Sequence, residues 1–66
     1  MKREWFVNLR NKKKLTQEKL AKLCETTQIT ISHIENGDRR PSPELAQKLA
    51  KILKFKWTRF YEEGEK

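Results

Sequence analysis

Gln28, Ile29, Ser32 and His33 bring an amide, a branched apolar chain, a hydroxyl and an imidazole into one short stretch. The Gln28 amide can donate and accept at once, which matches the bidentate pattern that adenine presents on its exposed edge. Ile29 has no hydrogen-bonding group and suits the methyl of thymine. Nothing here makes bonds. No nucleophile sits beside a base, and one histidine and one cysteine are too few for a hydrolytic metal site, an internal disulfide or a cysteine-based zinc cage. The two glycines, Gly37 and Gly64, do not form a phosphate-cradling loop. The chemistry on offer is recognition, with no enzymatic activity, metal or cofactor expected.

Charge points to the class of partner. Sixteen Lys and Arg against nine Asp and Glu leave +7, with a pI near 9.9. Such an excess favours a polyanion, either nucleic acid or an anionic membrane surface. Arg39 and Arg40 sit in a loop, where a phosphate clamp is the favoured reading. The cluster Lys12-Lys13-Lys14 is either a solvated helix end, favourable at the negative pole of the dipole, or a phosphate contact. Apolar runs are far shorter than the roughly 20 residues that span a bilayer. No apolar stretch follows the basic residues of Met1-Lys2-Arg3-Glu4-Trp5, so a signal peptide is not expected. A lone thiol fits the reducing cytosol, and a cytoplasmic location is expected. With 66 residues, the expectation is one domain over 1–66 with a charged tail over 62–66. A core of this size buries about 60% of the unfolded surface.

Five helices must position these groups. The first is expected over about 2–13, with Phe6 and Leu9 inward. Thr16 is a good cap for a second over 17–24, whose stripe is Leu20, Ala21 and Cys24. Thr27, with Thr26 as the alternative, caps a third over 28–35, with Ile31 and Ile34 inward. Its β-branched residues alone would favour a strand; the capping threonine and the i, i+3 spacing tip it to helix. Asn36 and Gly37 can each take a left-handed stop. Ser42, Pro43 and Glu44 open a fourth helix running to about Leu53, with Leu45, Ala46, Leu49, Ile52 and Leu53 at helical spacing. Residues 54–56 are a link, and a last helix over about 57–62 carries Phe60 and Tyr61.

The second and third helices, joined by about three residues, have the arrangement of a helix-turn-helix. Turning Ile31 and Ile34 inward leaves Gln28, Ile29, Ser32 and His33 outside. At this point the runs Leu15-Thr16-Gln17-Glu18-Lys19-Leu20-Ala21, Ile31-Ser32-His33-Ile34-Glu35-Asn36-Gly37 and Arg40-Pro41-Ser42-Pro43-Glu44-Leu45-Ala46 resemble the XRE (Cro/CI) family over about residues 4–61. The resemblance implies an all-α, five-helix, lambda-repressor-like fold and binding to double-stranded DNA. It implies that Gln17 hydrogen-bonds a phosphate and braces the recognition helix. Thr27, Gln28, Ile29, Ser32 and His33 match positions that reach the groove. Asn36, Arg39 and Arg40 lie where backbone contacts are made. Arg10 and Glu35 match a buried ion pair. The family often forms dimers through its last helix, which assigns Trp57 or Tyr61 to a partner subunit and Phe60 to the core. Trp5 either joins that aromatic cluster or snorkels.

Lys14 and Glu25 depart from the family, standing where it usually has glycine. Each would bear a left-handed backbone at some cost, and Glu25 brings negative charge near phosphate. Cys24 replaces a core aliphatic, as a small hydrophobe or, less simply, a redox sensor. The expected function is a sequence-specific regulator of transcription, a repressor acting as a homodimer on an inverted repeat, with no small-molecule ligand. The alternative is an antitoxin-type interaction protein that regulates its own gene through the same domain.

Overall fold

Three hydroxyls set where helices begin. In the computed structural model, which describes residues 2–62, the Thr16 Oγ1 accepts from the Lys19 N–H (3.1 Å), Thr27 Oγ1 from Thr30 (3.2 Å) and Ser42 Oγ from Leu45 (3.3 Å). Each bond satisfies an amide that the helix itself leaves unpaired, and losing one costs about 1 kcal/mol. The resulting elements are α1 (Glu4–Lys12), α2 (Gln17–Leu23), α3 (Gln28–Glu35), α4 (Pro43–Leu53) and α5 (Arg59–Glu62), with no strand among the described residues. The expected tail over 62–66 lies, beyond Glu62, outside the described residues.

α3 and α4 have the expected bounds; the others are shorter. α1 starts at Glu4, not residue 2, because Arg3 is its N-cap at φ −88°, ψ 77° and gives its N–H to the Glu35 carbonyl (2.7 Å). α2 stops at Leu23 because Cys24 is its C-cap. α5 starts at Arg59: Trp57 and Thr58 form a turn, closed by the Arg59 N–H on the Lys56 carbonyl (2.9 Å).

The core is filled from every helix. α2 contributes Leu20 and Ala21, and α3 contributes Ile31 and Ile34. α4 adds Ala46, Leu49 and Leu53, a stripe at helical spacing. Phe6 and Phe60 are fully buried, while Leu9 is half-buried at the margin. Trp5 joins the aromatic cluster, its ring 5.1–5.9 Å from those of Phe6, Phe55 and Phe60. Edge-on and tilted pairs of this kind add about 0.5–1.5 kcal/mol each beyond burial. Phe55, read from the sequence as link, is part of this cluster.

Burial pushes the Cys24 thiol up to about 11, so it stays protonated and unreactive at neutral pH. Its role is packing. Lys14 (φ 59°) and Glu25 (φ 59°) carry the left-handed backbone expected of them, and Lys54 (φ 62°) does so at the α4 C-cap. A non-glycine residue there costs on the order of 1 kcal/mol. Gly37 (φ 81°), not Asn36, takes the left-handed stop after α3.

Candidate nucleic-acid interface

One buried carboxylate ties α1, α2 and α3 together. Glu35 is the last residue of α3, and its side chain is 4% exposed. Its Oε2 accepts from Arg10 Nε, and its Oε1 accepts from Arg10 Nη2 (3.4 Å) and Gln17 Nε2 (2.8 Å). Arg10 Nη1 donates to the Leu15 carbonyl (2.7 Å), which fixes the α1–α2 connection as well. The ion pair that the family resemblance implies is therefore present and buried. Gln17 acts as the brace: its Oε1 accepts from Gln28 Nε2 at 3.4 Å. That last bond is long and exposed, so the Gln28 amide can leave it for another partner.

α3 has two unlike halves. Ile31, Ile34 and Glu35 are buried, while Gln28 is exposed and Ile29 is 70% exposed. Ser32 and His33 are half-buried beside them. The Thr27 hydroxyl serves the cap and lies 2.9 Å from the Thr30 Oγ1. His33 faces Asp38, Nδ1 to Oδ2 3.7 Å. The outward face thus collects the four groups expected from the sequence.

The loop after α3 exposes Asn36, Arg39 and Arg40. Tyr61 braces it: its hydroxyl donates to the Pro41 carbonyl (2.8 Å), and the Arg40 guanidinium lies 5.5 Å from its ring centroid. Trp57 packs edge-on against Tyr61 at 5.8 Å, and both are half-buried. The charge of Glu25 is met by Lys48 Nζ (3.1 Å), and that hydrogen bond raises the Lys48 pKa. Two contributions went unread in the sequence. Tyr61 holds the loop, and Arg3 donates its Nη1 to the carbonyls of Ile34 and Arg39, the latter at 2.9 Å. No periodicity links positions so far apart. Among the described residues, no helix is long and apolar enough to cross a membrane, and no group of His, Cys, Asp and Glu could hold a metal ion.

A capped helix, a turn at a left-handed residue and a second helix with an anchored inner face and an open outer face define a helix-turn-helix module. The helix-turn-helix family model matches residues 8–60, and the chain belongs to that family. It is 38% identical over 63 residues to an uncharacterized HTH-type transcriptional regulator, YqaF, of Bacillus subtilis (strain 168), covering 96% of this chain and 83% of that protein. No solved structure matches. The five-helix, all-α arrangement is the lambda-repressor-like fold that the family resemblance implied.

Proposed function

We propose that this chain is a sequence-specific, double-stranded DNA-binding repressor of transcription that works in the cytoplasm as a homodimer on an inverted-repeat operator. One observation carries the reading: Ile29 is 70% exposed on the same helix whose Ile31 and Ile34 are fully buried. A large apolar side chain held outward among Gln28, Ser32 and His33 suits the major groove, where it can meet a thymine methyl. The likeness to the Bacillus protein, an uncharacterized HTH-type transcriptional regulator, supports it.

In this reading the α3 outer face discriminates and its surroundings bind. Gln28, Ile29, Ser32 and His33 read base edges. Gln17, Asn36, Arg39 and Arg40 engage the backbone, as does Thr27 at the α3 N-terminus, where free amides favour an anion. Occupancy of the operator obstructs polymerase. No catalysis, cofactor or small-molecule ligand enters.

Binding-site selection on variants tests the division of labour. Gln28→Ala should cost about 1–3 kcal/mol on the preferred site and relax preference at one base pair per half-site. Arg39→Ala should weaken all sequences about equally. The reverse pattern would show that the recognition face is misplaced.

One recognition helix reads only a few base pairs, so a unique site needs two, with half-site centres about 34–36 Å apart. Trp57 and Tyr61 are proposed as the dimer contact: Trp57, in the turn before α5, and Tyr61, within α5, form a half-buried aromatic pair, and aromatic residues are enriched at interfaces. Sedimentation should find Trp57→Ala shifted toward monomer. A variant as dimeric as the parent would remove this assignment.

A further inference from the structure

Arg3 precedes α1, yet it is 7% exposed and directs its polar groups to the far end of α3. Its N–H donates to the Glu35 carbonyl (2.7 Å). Its Nη1 donates to the Ile34 carbonyl and, at 2.9 Å, to the Arg39 carbonyl. Its guanidinium lies 5.3 Å from the Phe60 ring centroid. The carbonyls at the end of α3 are the negative pole of that helix, where a cation is favoured. The first half of the loop is held by backbone bonds, with the Gly37 N–H on the Ile34 carbonyl (3.2 Å) and the Asp38 N–H on the His33 carbonyl (3.0 Å). Arg3 is what reaches the Arg39 carbonyl from outside the loop. Holding that carbonyl restrains the peptide plane between Arg39 and Arg40, and with it the positions of the two Cα atoms that carry these side chains.

We propose that Arg3 is a positioning residue for DNA binding, clamping the α3–α4 loop so that Arg39 and Arg40 meet phosphate in register with the recognition helix. The proposal rests on the backbone-contact reading of Arg39 and Arg40. Arg3 touches no DNA in it. One terminal nitrogen, Nη1, reaches both carbonyls while the planar guanidinium lies against the Phe60 ring; a lysine ammonium keeps the charge but ends one bond nearer the backbone and has no flat group to lie there.

The test measures affinity for a duplex bearing the selected site at several salt concentrations. It compares the parent, Arg3→Lys, Arg39→Ala and the double variant, all well below their unfolding midpoints. Arg39→Ala should lower the salt slope by about one per protomer and weaken binding about eightfold per half-site at 0.1 M salt, the factor that one neutralised phosphate contributes there at a slope of about 0.9. Arg3→Lys, with the net charge unchanged, should do the same. The double variant should bind no more weakly than either single one, because both remove the same contact. Should Arg3→Lys not fold, Arg3→Met takes its place, with Lys2→Ala as the control for losing one exposed charge. A slope unchanged in the Arg3 variant beside a lowered slope in Arg39→Ala, or fully additive losses, overturns the proposal alone. A slope unchanged in Arg39→Ala while the parent binds removes the loop from the interface, and the proposal falls with it.

Discussion

Arg10→Ala should lower the stability of the fold by about 3–5 kcal/mol, the cost of leaving one member of a buried ion pair alone. Glu35 is the more buried member, at 4% side-chain exposure against 13% for Arg10. Removing Arg10 leaves that carboxylate with the Gln17 amide alone among the donors described above, and a neutral amide does not balance a charge. A chain of 66 residues holds about 3–10 kcal/mol in total. The loss is therefore a large share of it, and the thermal midpoint should fall by roughly 12–40 °C. Glu35→Ala should be comparable, since it leaves Arg10 with the Leu15 carbonyl and releases Gln17. Below the midpoint, the base preference of Arg10→Ala should match the parent, because none of the residues proposed to reach the groove has changed. Calorimetry and binding-site selection on the same preparations check both halves. A midpoint that does not move would show that the pair contributes nothing.

Affinity for duplex DNA should fall by about 10³–10⁵ between 50 and 200 mM salt if a dimer neutralises about 6–10 phosphates. The basis is the net charge of +7 together with exposed Arg39, Arg40 and Lys12–Lys14. Binding measured by fluorescence anisotropy across that range gives a slope that counts the contacts. A flat response would remove the DNA-binding reading, because an uncharged groove contact has no counterions to release.

Much of the framework was legible because its determinants are local. Thr16, Thr27 and Ser42 announce helix starts by chemistry confined to three or four neighbouring residues, and all three act as caps. Ile31 and Ile34 declare their inward face by spacing, which places Gln28 and Ile29 outside. The family resemblance supplied what spacing cannot, the pairing of Arg10 with Glu35. What escaped was decided by tertiary contact. The ends of α1 and α5 moved because Arg3 serves a distant helix and Trp57 sits in a turn. Phe55 looked like a linker residue until the neighbouring aromatics gave it a surface to cover. Lys54 takes a left-handed cap with no glycine to signal it.

The anchoring of α3 has an evolutionary consequence. The residues that hold it, Ile31, Ile34 and Glu35, are distinct from the residues that face outward, Gln28, Ile29, Ser32 and His33. Exposed positions such as Gln28 and Ile29 tolerate exchange within about 0.5 kcal/mol, and the side chains of the half-buried Ser32 and His33 take no part in the bonds to Glu35. A descendant of this chain could therefore be retargeted to a new operator by changes on the outer face alone, with the scaffold left intact. Drift in specificity would then be policed by the loss of regulation at the old site, and hardly at all by misfolding.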